Sequence, residues 1–120
     1  MTSEEITKMR EWSARLMGWV LVESEDSWGD DSAYRDSSGR LGEFVNFWRP
    51  DSNHNQTFMV VDRMAKLGWY LSLNQSMTPP HEWLALFHKT GHPTRLGICA
   101  LDPLQAIILD AMDAEPNIKE

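Results

Sequence analysis

The residues from Trp48 to Leu73 constrain the fold more than any other stretch of this chain. They open with Trp48-Arg49-Pro50-Asp51-Ser52 and close with Gly68-Trp69-Tyr70-Leu71-Ser72-Leu73. Pro50 has no backbone N–H and keeps Arg49 out of the helical region. Asp51, Ser52 and Asn53 are all N-cap residue types, and Asn53 with Gln56 has capping-box spacing. Thr57, Val60, Val61, Met64 and Leu67 then recur at helical intervals and predict one apolar stripe. Gly68 suits the left-handed position just past a helix end, and the side-chain period changes to two immediately after it. The stretch predicts a helix that feeds a strand through a glycine corner.

The flanking segments extend this pattern. Thr2 with Glu5 predicts a capped first helix along Ile6, Met9, Ser13, Leu16 and Met17, ended by Gly18. A short strand follows from Trp19 to Glu23. Residues 24–43 are irregular, with a short strand at Ala33-Tyr34-Arg35 and a turn at Ser37-Ser38-Gly39-Arg40. Phe44 to Trp48 reads as the strand leading into the central helix. Asn74 to His81 is polar and holds Pro79-Pro80, so it reads as a loop. Glu82 to His88 is apolar on both sides, as in a central strand covered from both faces. Arg95 to Leu101 reads as another strand. Asp102-Pro103 starts a last helix with the stripe Leu104, Ile107, Ile108, Ala111 and Met112, and Pro116 ends it before a loose tail, 116–120. Strands joined by short turns are largely antiparallel. The expected class is α+β: a mostly antiparallel sheet with three helices in one domain over 1–120, layered as an α-β-α sandwich.

Charge limits the function. The formal net charge is −7, which argues against direct binding to nucleic-acid backbones and fits a partner with a basic surface. Glu23, Glu25, Asp26, Asp30, Asp31 and Asp36 cluster around one base, Arg35. The single cysteine, Cys99, excludes an intrachain disulfide and points to a reducing cytoplasm. Neither a spanning segment nor a basic leader is present, so no membrane role is expected.

Motifs that would carry chemistry are sparse. His88 and His92 are four apart, but Gly91 and Pro93 exclude the helical ligand pair, so no metal is expected there. Asp26, Asp30 and Asp31 lack the spacing of a calcium loop. Cys99 sits in an apolar run and reads as a buried structural thiol. Phosphate loops and nucleophile elbows are absent. Trp19, Trp69 and Trp83 fall on strand patterns and read as core, and packing is also the expectation for Trp12 and Trp48. Trp28 has only Ser27, Gly29 and Asp30 around it, which marks it as a candidate contact residue.

Several short motifs together resemble the phage "ABA sandwich" domain of small bacteriophage and prophage proteins. They are Met17-Gly18-Trp19, Trp48-Arg49-Pro50-Asp51-Ser52, Val60-Val61-Asp62-Arg63-Met64, Gly68-Trp69, Trp83 with Phe87, and Ala106-Ile107 with Ala111. Two departures stand out: the long acidic segment from Glu23 to Glu43, and the strand at Arg95 to Leu101. The resemblance implies a phage or prophage origin and a layered α+β fold, and it implies no catalytic residues.

Charge and resemblance lead to one expectation. The chain is read as a small non-enzymatic phage accessory protein without cofactors, acting in the host cytoplasm. It would bind a host or phage protein, for example as an anti-defence protein such as an anti-CRISPR, through Glu25, Asp26, Trp28, Asp30 and Asp31. Self-association into a homo-oligomer is compatible with this. The alternative is a nucleotide or small-ligand sponge with a Trp stacked on a base. That reading needs several of Arg35, Arg40, Arg49, Arg63, Lys66, Lys89 and Arg95 to converge on a pocket, whereas protein binding needs the acids to converge on an exposed face.

Overall fold

The computed structural model describes residues 2–22 and 32–116. Among these, helix α1 spans Ser3–Leu16, α2 His54–Lys66 and α3 Pro103–Ala114. Strands β1 (Val20–Val22), β2 (Ala33–Arg35) and β3 (Leu41–Phe44) form one antiparallel sheet in that order. Strands β4 (Tyr70–Gln75), β5 (Trp83–His88) and β6 (Ile98–Ala100) form a second. The class is therefore α+β with antiparallel pairing throughout, as the sequence implies, and the strands are divided between two sheets.

Each helix begins where its cap requires. The Thr2 hydroxyl accepts from the Glu5 N–H, the Asn53 side-chain Oδ1 from the Gln56 N–H, and the Asp102 carboxylate from the N–H groups of Leu104 and Gln105. The Gln56 side chain does not close a capping box. It donates to the Phe47 carbonyl and accepts from the Arg49 N–H, fixing the chain that enters α2. Gly68 has φ +94, so the glycine corner into β4 is the predicted one. The strand expected from Phe44 to Trp48 is a correction: β3 ends at Phe44, and Val45–Phe47 is a 3₁₀ turn. Pairing with β2 pulls the strand forward, because Ala33 lies opposite Phe44.

The core lies between the helices and one face of the β4–β6 sheet. In the register, Leu71 faces Phe87, Leu73 faces Ala85, and Ile98 lies beside Ala85. Directly opposed residues share a face, so these side chains line up with Trp83 under α3. Ala106, Ile107, Ile108 and Ala111 of α3 are buried on them, and α2 adds Thr57, Val60 and Met64. Leu67, predicted at the end of that stripe, is exposed. The sheet's opposite face carries half-buried Leu84 and Leu86 with exposed Tyr70, Asn74, His88 and Cys99. Strand β5 is central as expected, but the helical cover lies over its Trp83, Ala85 and Phe87 side.

Tryptophans bind the elements together. Trp12, Trp48 and Trp69 are all buried, and each indole N–H has an acceptor. Trp48 donates to the Ser13 hydroxyl on α1, at 2.9 Å. Trp12 and Trp69 donate to the backbone and side-chain oxygens of Glu115, the residue that ends α3. Trp19 packs edge-on against Trp48, with ring centroids 4.8 Å apart, and stacks on Tyr34 of β2. Its indole lies on Gly42, where any Cβ would run into the ring. Trp19 and Tyr34 thus fasten the β1–β3 sheet to the helical core.

Ion pairs with buried acids complete the frame. Arg10 of α1 holds Asp51, before α2, through two hydrogen bonds of 2.9 and 3.2 Å. Arg63 of α2 donates to the Leu16 carbonyl at the end of α1. Arg95, expected in a strand, instead turns inward to Asp110 of α3, which is fully buried. The Asp110 carboxylate also accepts from the Phe87 N–H at 2.6 Å, and Arg95 donates to the Phe87 carbonyl. This pair takes the place of the neighbouring strand that β5 lacks beyond β6, which shortens β6 to three residues.

Candidate functional site

The five residues singled out by sequence, Glu25, Asp26, Trp28, Asp30 and Asp31, lie outside the described residues. The two ends to which their segment attaches are described. Val22 closes β1, Ser32 precedes β2, and Val22 pairs with Ala33. The acidic segment is therefore inserted between two adjacent antiparallel strands.

The sheet that carries it has unlike faces. Tyr34, which is buried, and Leu21, which is 49% exposed, lie opposite each other on the side that meets Glu11, Ala14 and Arg15 of α1. Burial raises the Tyr34 hydroxyl above its ordinary pKa, and the Glu11 carboxylate adds to the effect. The alternate positions face the other way. Val20, Val22, Leu41 and Phe44 are all exposed there, Val20 and Val22 each by 47%. Phe47 continues the patch at 66% exposure, with its ring edge-on to Phe44. In the register Ala33 lies between Val22 and Phe44, and half-buried Arg35 between Val20 and Leu41, so this face is mainly apolar with one cation within it. Single exposed apolar residues are ordinary, but a group of them on one sheet face has the character of a contact surface.

A second concavity lies on the open face of the β4–β6 sheet. It has a volume of about 450 Å³ and is lined by Asn74, Gln75, Ser76, Thr78, Pro80, Glu82, Leu84 and Cys99. The loop after β4 arches over it. Ser76 N–H donates to the Glu82 carbonyl, His81 N–H to the Thr78 carbonyl, and the Ser76 hydroxyl contacts the Thr78 carbonyl. His81 adopts φ 55, a left-handed conformation uncommon outside glycine, to turn the chain into β5. Sequence reading treated 74–81 only as a loop. The Pro79-Pro80 pair was the available signal, but the pocket also needs the register that places Asn74, Leu84 and Cys99 in one row.

Cys99 is a correction: it is exposed, because β6 turns this position to the open sheet face. His54, His81, His88 and His92 are exposed, and His92 meets the Trp69 ring edge-on. Among the described residues no group of three His, Cys, Asp or Glu side chains is arranged to hold a metal ion. No helix there is long and apolar enough to cross a membrane.

Among the described residues Arg10 and Arg49 line one concavity of about 220 Å³ with Tyr34, and Arg35, Arg63 and Arg95 have separate partners. Arg35 donates to the Gly39 carbonyl, Arg49 to Asn46 and Arg63 to Leu16. Arg95 is held by Asp110 and Asp113, whose carboxylates keep its guanidinium above its ordinary pKa, the Asp110 hydrogen bond contributing most. Lys89 and Arg95 also sit over the Trp69 ring.

Comparison with family models, with curated proteins and with solved structures finds no match to this chain.

Proposed function

We propose that this chain is a small, non-enzymatic accessory protein of phage type that acts by binding another macromolecule. Its most concrete form is an antagonist of a host defence protein, an anti-CRISPR protein being one example, that occupies a basic surface. The observation that carries this reading is the exposed apolar face of Val20, Val22, Leu41 and Phe44 on the same strands that hold the acidic segment. Exposed apolar side chains on strands that lead into a charged segment fit a protein-binding surface with an apolar centre. The acids supply steering toward a basic partner, and the apolar side chains supply contact area. The phage-domain resemblance points the same way. The sponge alternative has less support, since Arg35, Arg49, Arg63 and Arg95 are engaged with carbonyls and carboxylates of the chain itself.

The test replaces Glu25, Asp26, Asp30 and Asp31 by Gln and Asn together. Captured host proteins are identified with the parent chain, and association kinetics are then measured at two ionic strengths. The neutralised variant is expected to stay folded, to associate more slowly and to lose salt sensitivity. Trp28→Ala should add a loss that salt does not change. Equal binding by folded parent and folded variant refutes the acidic surface as the working one.

A further inference from the structure

The concavity under the 76–82 arch has a chemistry of its own. None of its lining residues is a cation, and one, Glu82, is an acid. Glu82 is half-buried, and among the described residues its carboxylate has neither an ion-pair nor a hydrogen-bond partner. Asn74 adds an amide without a side-chain partner among the described residues, and Thr78 a hydroxyl. Leu84 and Pro80 provide apolar wall. A carboxylate without a counter-charge at the wall of a concavity attracts a cation, and the concave wall lets neighbouring acceptors and apolar groups contact that cation as well. The acceptors at the rim and the apolar wall together suit a side chain with an aliphatic stem and a charged, donor-rich head.

The geometry points to this groove as a receptor for a basic side chain, arginine above all, presented by a protein partner. The inference rests on the reading that the partner is basic, and it assigns the contact to the β4–β6 sheet, not to the sheet whose strands the acidic segment joins. Glu82 accepts from the guanidinium, Asn74 and Thr78 orient it, and Leu84 and Pro80 pack on its methylenes. Arginine fits better than lysine because its planar fork can bond the carboxylate and a neighbouring acceptor together. The volume of about 450 Å³ leaves room for the residue beside it as well. The hydrogen bonds within the arch set its shape before a ligand arrives, which lowers the ordering cost of binding.

Cys99 makes the groove observable, because this exposed thiol lines it. The rate of Cys99 alkylation by iodoacetamide, a small neutral reagent, is measured with and without a saturating short oligoarginine peptide. Occupation of the groove should slow alkylation by about fivefold or more, as steric cover of a thiol does. Glu82→Gln should weaken peptide affinity by about five- to tenfold, as expected for a charge-assisted hydrogen bond at a partly exposed site. An oligolysine peptide of equal charge should protect less. The chain neutralised at Glu25, Asp26, Asp30 and Asp31 serves as the comparison. If it binds more weakly yet still protects Cys99 at saturation, the groove is a receptor distinct from the steering segment. If it binds like the parent while Glu82→Gln does not, the groove stands and the acidic-segment reading fails. Peptide binding that leaves the Cys99 rate unchanged, no binding by the folded parent, or Glu82→Gln matching the parent would each overturn the proposal. The footprint on the parent chain needs no substitution, so an unstable Glu82→Gln would not hide the answer.

Discussion

Replacing Asp110 with Ala should cost more stability than any other removal of a single charge from this chain. The Asp110 carboxylate is fully buried and serves two donors at once. It accepts from Arg95 at 2.9 Å through each of its oxygens and from the Phe87 N–H at 2.6 Å. Its removal leaves a largely buried guanidinium without its main counter-charge and a buried amide without an acceptor. Breaking a buried pair costs about 3–5 kcal/mol, and an orphaned buried amide about 1–3 kcal/mol. Asp113 is still 2.6 Å from Arg95 and will recover part of the first loss. A net loss of about 3–5 kcal/mol follows, a large share of the ~5–15 kcal/mol that holds a domain together. For a chain of this size that is a fall in melting temperature on the order of 10–20 °C. Chemical denaturation of the parent, Asp110→Ala, Arg95→Met and the double variant would measure it. Because both side chains serve Phe87, the two single losses should exceed the loss in the double variant by about 1–3 kcal/mol. Strict additivity, or an Asp110→Ala loss below about 1 kcal/mol, would refute the view that Asp110, Arg95 and the end of β5 form one unit.

Other outcomes follow from the same structure. Ile107→Asp should abolish the cooperative melt, because it places an unpaired charge at a fully packed position of α3; a melt like the parent's would show that α3 does not pack on the sheet. Gly68→Val should destabilise strongly, by about 2 kcal/mol or more, since φ +94 excludes a β-branched residue; thermal melting checks it. Gly42→Ala should displace the Trp19 indole, red-shift tryptophan emission and lower stability by about 1–3 kcal/mol. The Asp36 carboxyl should titrate below the ordinary aspartate range, held there first by the Ser38 hydroxyl. The contribution of that turn is therefore present above the ordinary aspartate pKa and is lost as pH falls through the depressed value. Carboxyl NMR on Ser38→Ala should show the titration moving back upward.

The elements were legible in this sequence wherever a local rule decides them. Thr2, Asn53 and Asp102 begin helices because their side chains reach the first free N–H groups, and that chemistry is confined to a few neighbouring residues. Gly68 is readable for the same reason. Phe44 to Trp48 was misread because its apolar run suits a strand, while pairing with β2 and the Gln56 side chain draw the chain into a turn at Val45. Cys99 was misread as buried because its neighbours are apolar; the register places Ile98 and Ala100 on the covered side and the thiol between them on the open one. Arg95 and Asp110 were not seen as partners, since fifteen residues separate them and only the packing of α3 on β5 brings them together. Asp110 did carry a signal, a lone acid between Ile107 and Ala111 in the most apolar helix. The groove depends on two turns and a sheet register, none of which leaves a motif.

The Arg95–Asp110 pair has a consequence for association as well as for stability. The middle strand of a sheet is protected from foreign chains only along the length its neighbours cover. Strand β6 spans Ile98–Ala100 opposite Trp83–Ala85, and the far end of β5 extends past it. At Phe87 a guanidinium and a carboxylate already fill both backbone positions that an incoming strand would need. A bare N–H and C=O there would be a template for β-addition and, at high concentration, for aggregation. The ion pair closes that template with groups that cannot themselves be extended into another strand. The apolar ladder of Trp83, Ala85 and Phe87 thereby stays an interior surface on this side of the sheet, and the six-residue β4 is left as the sheet's long edge strand.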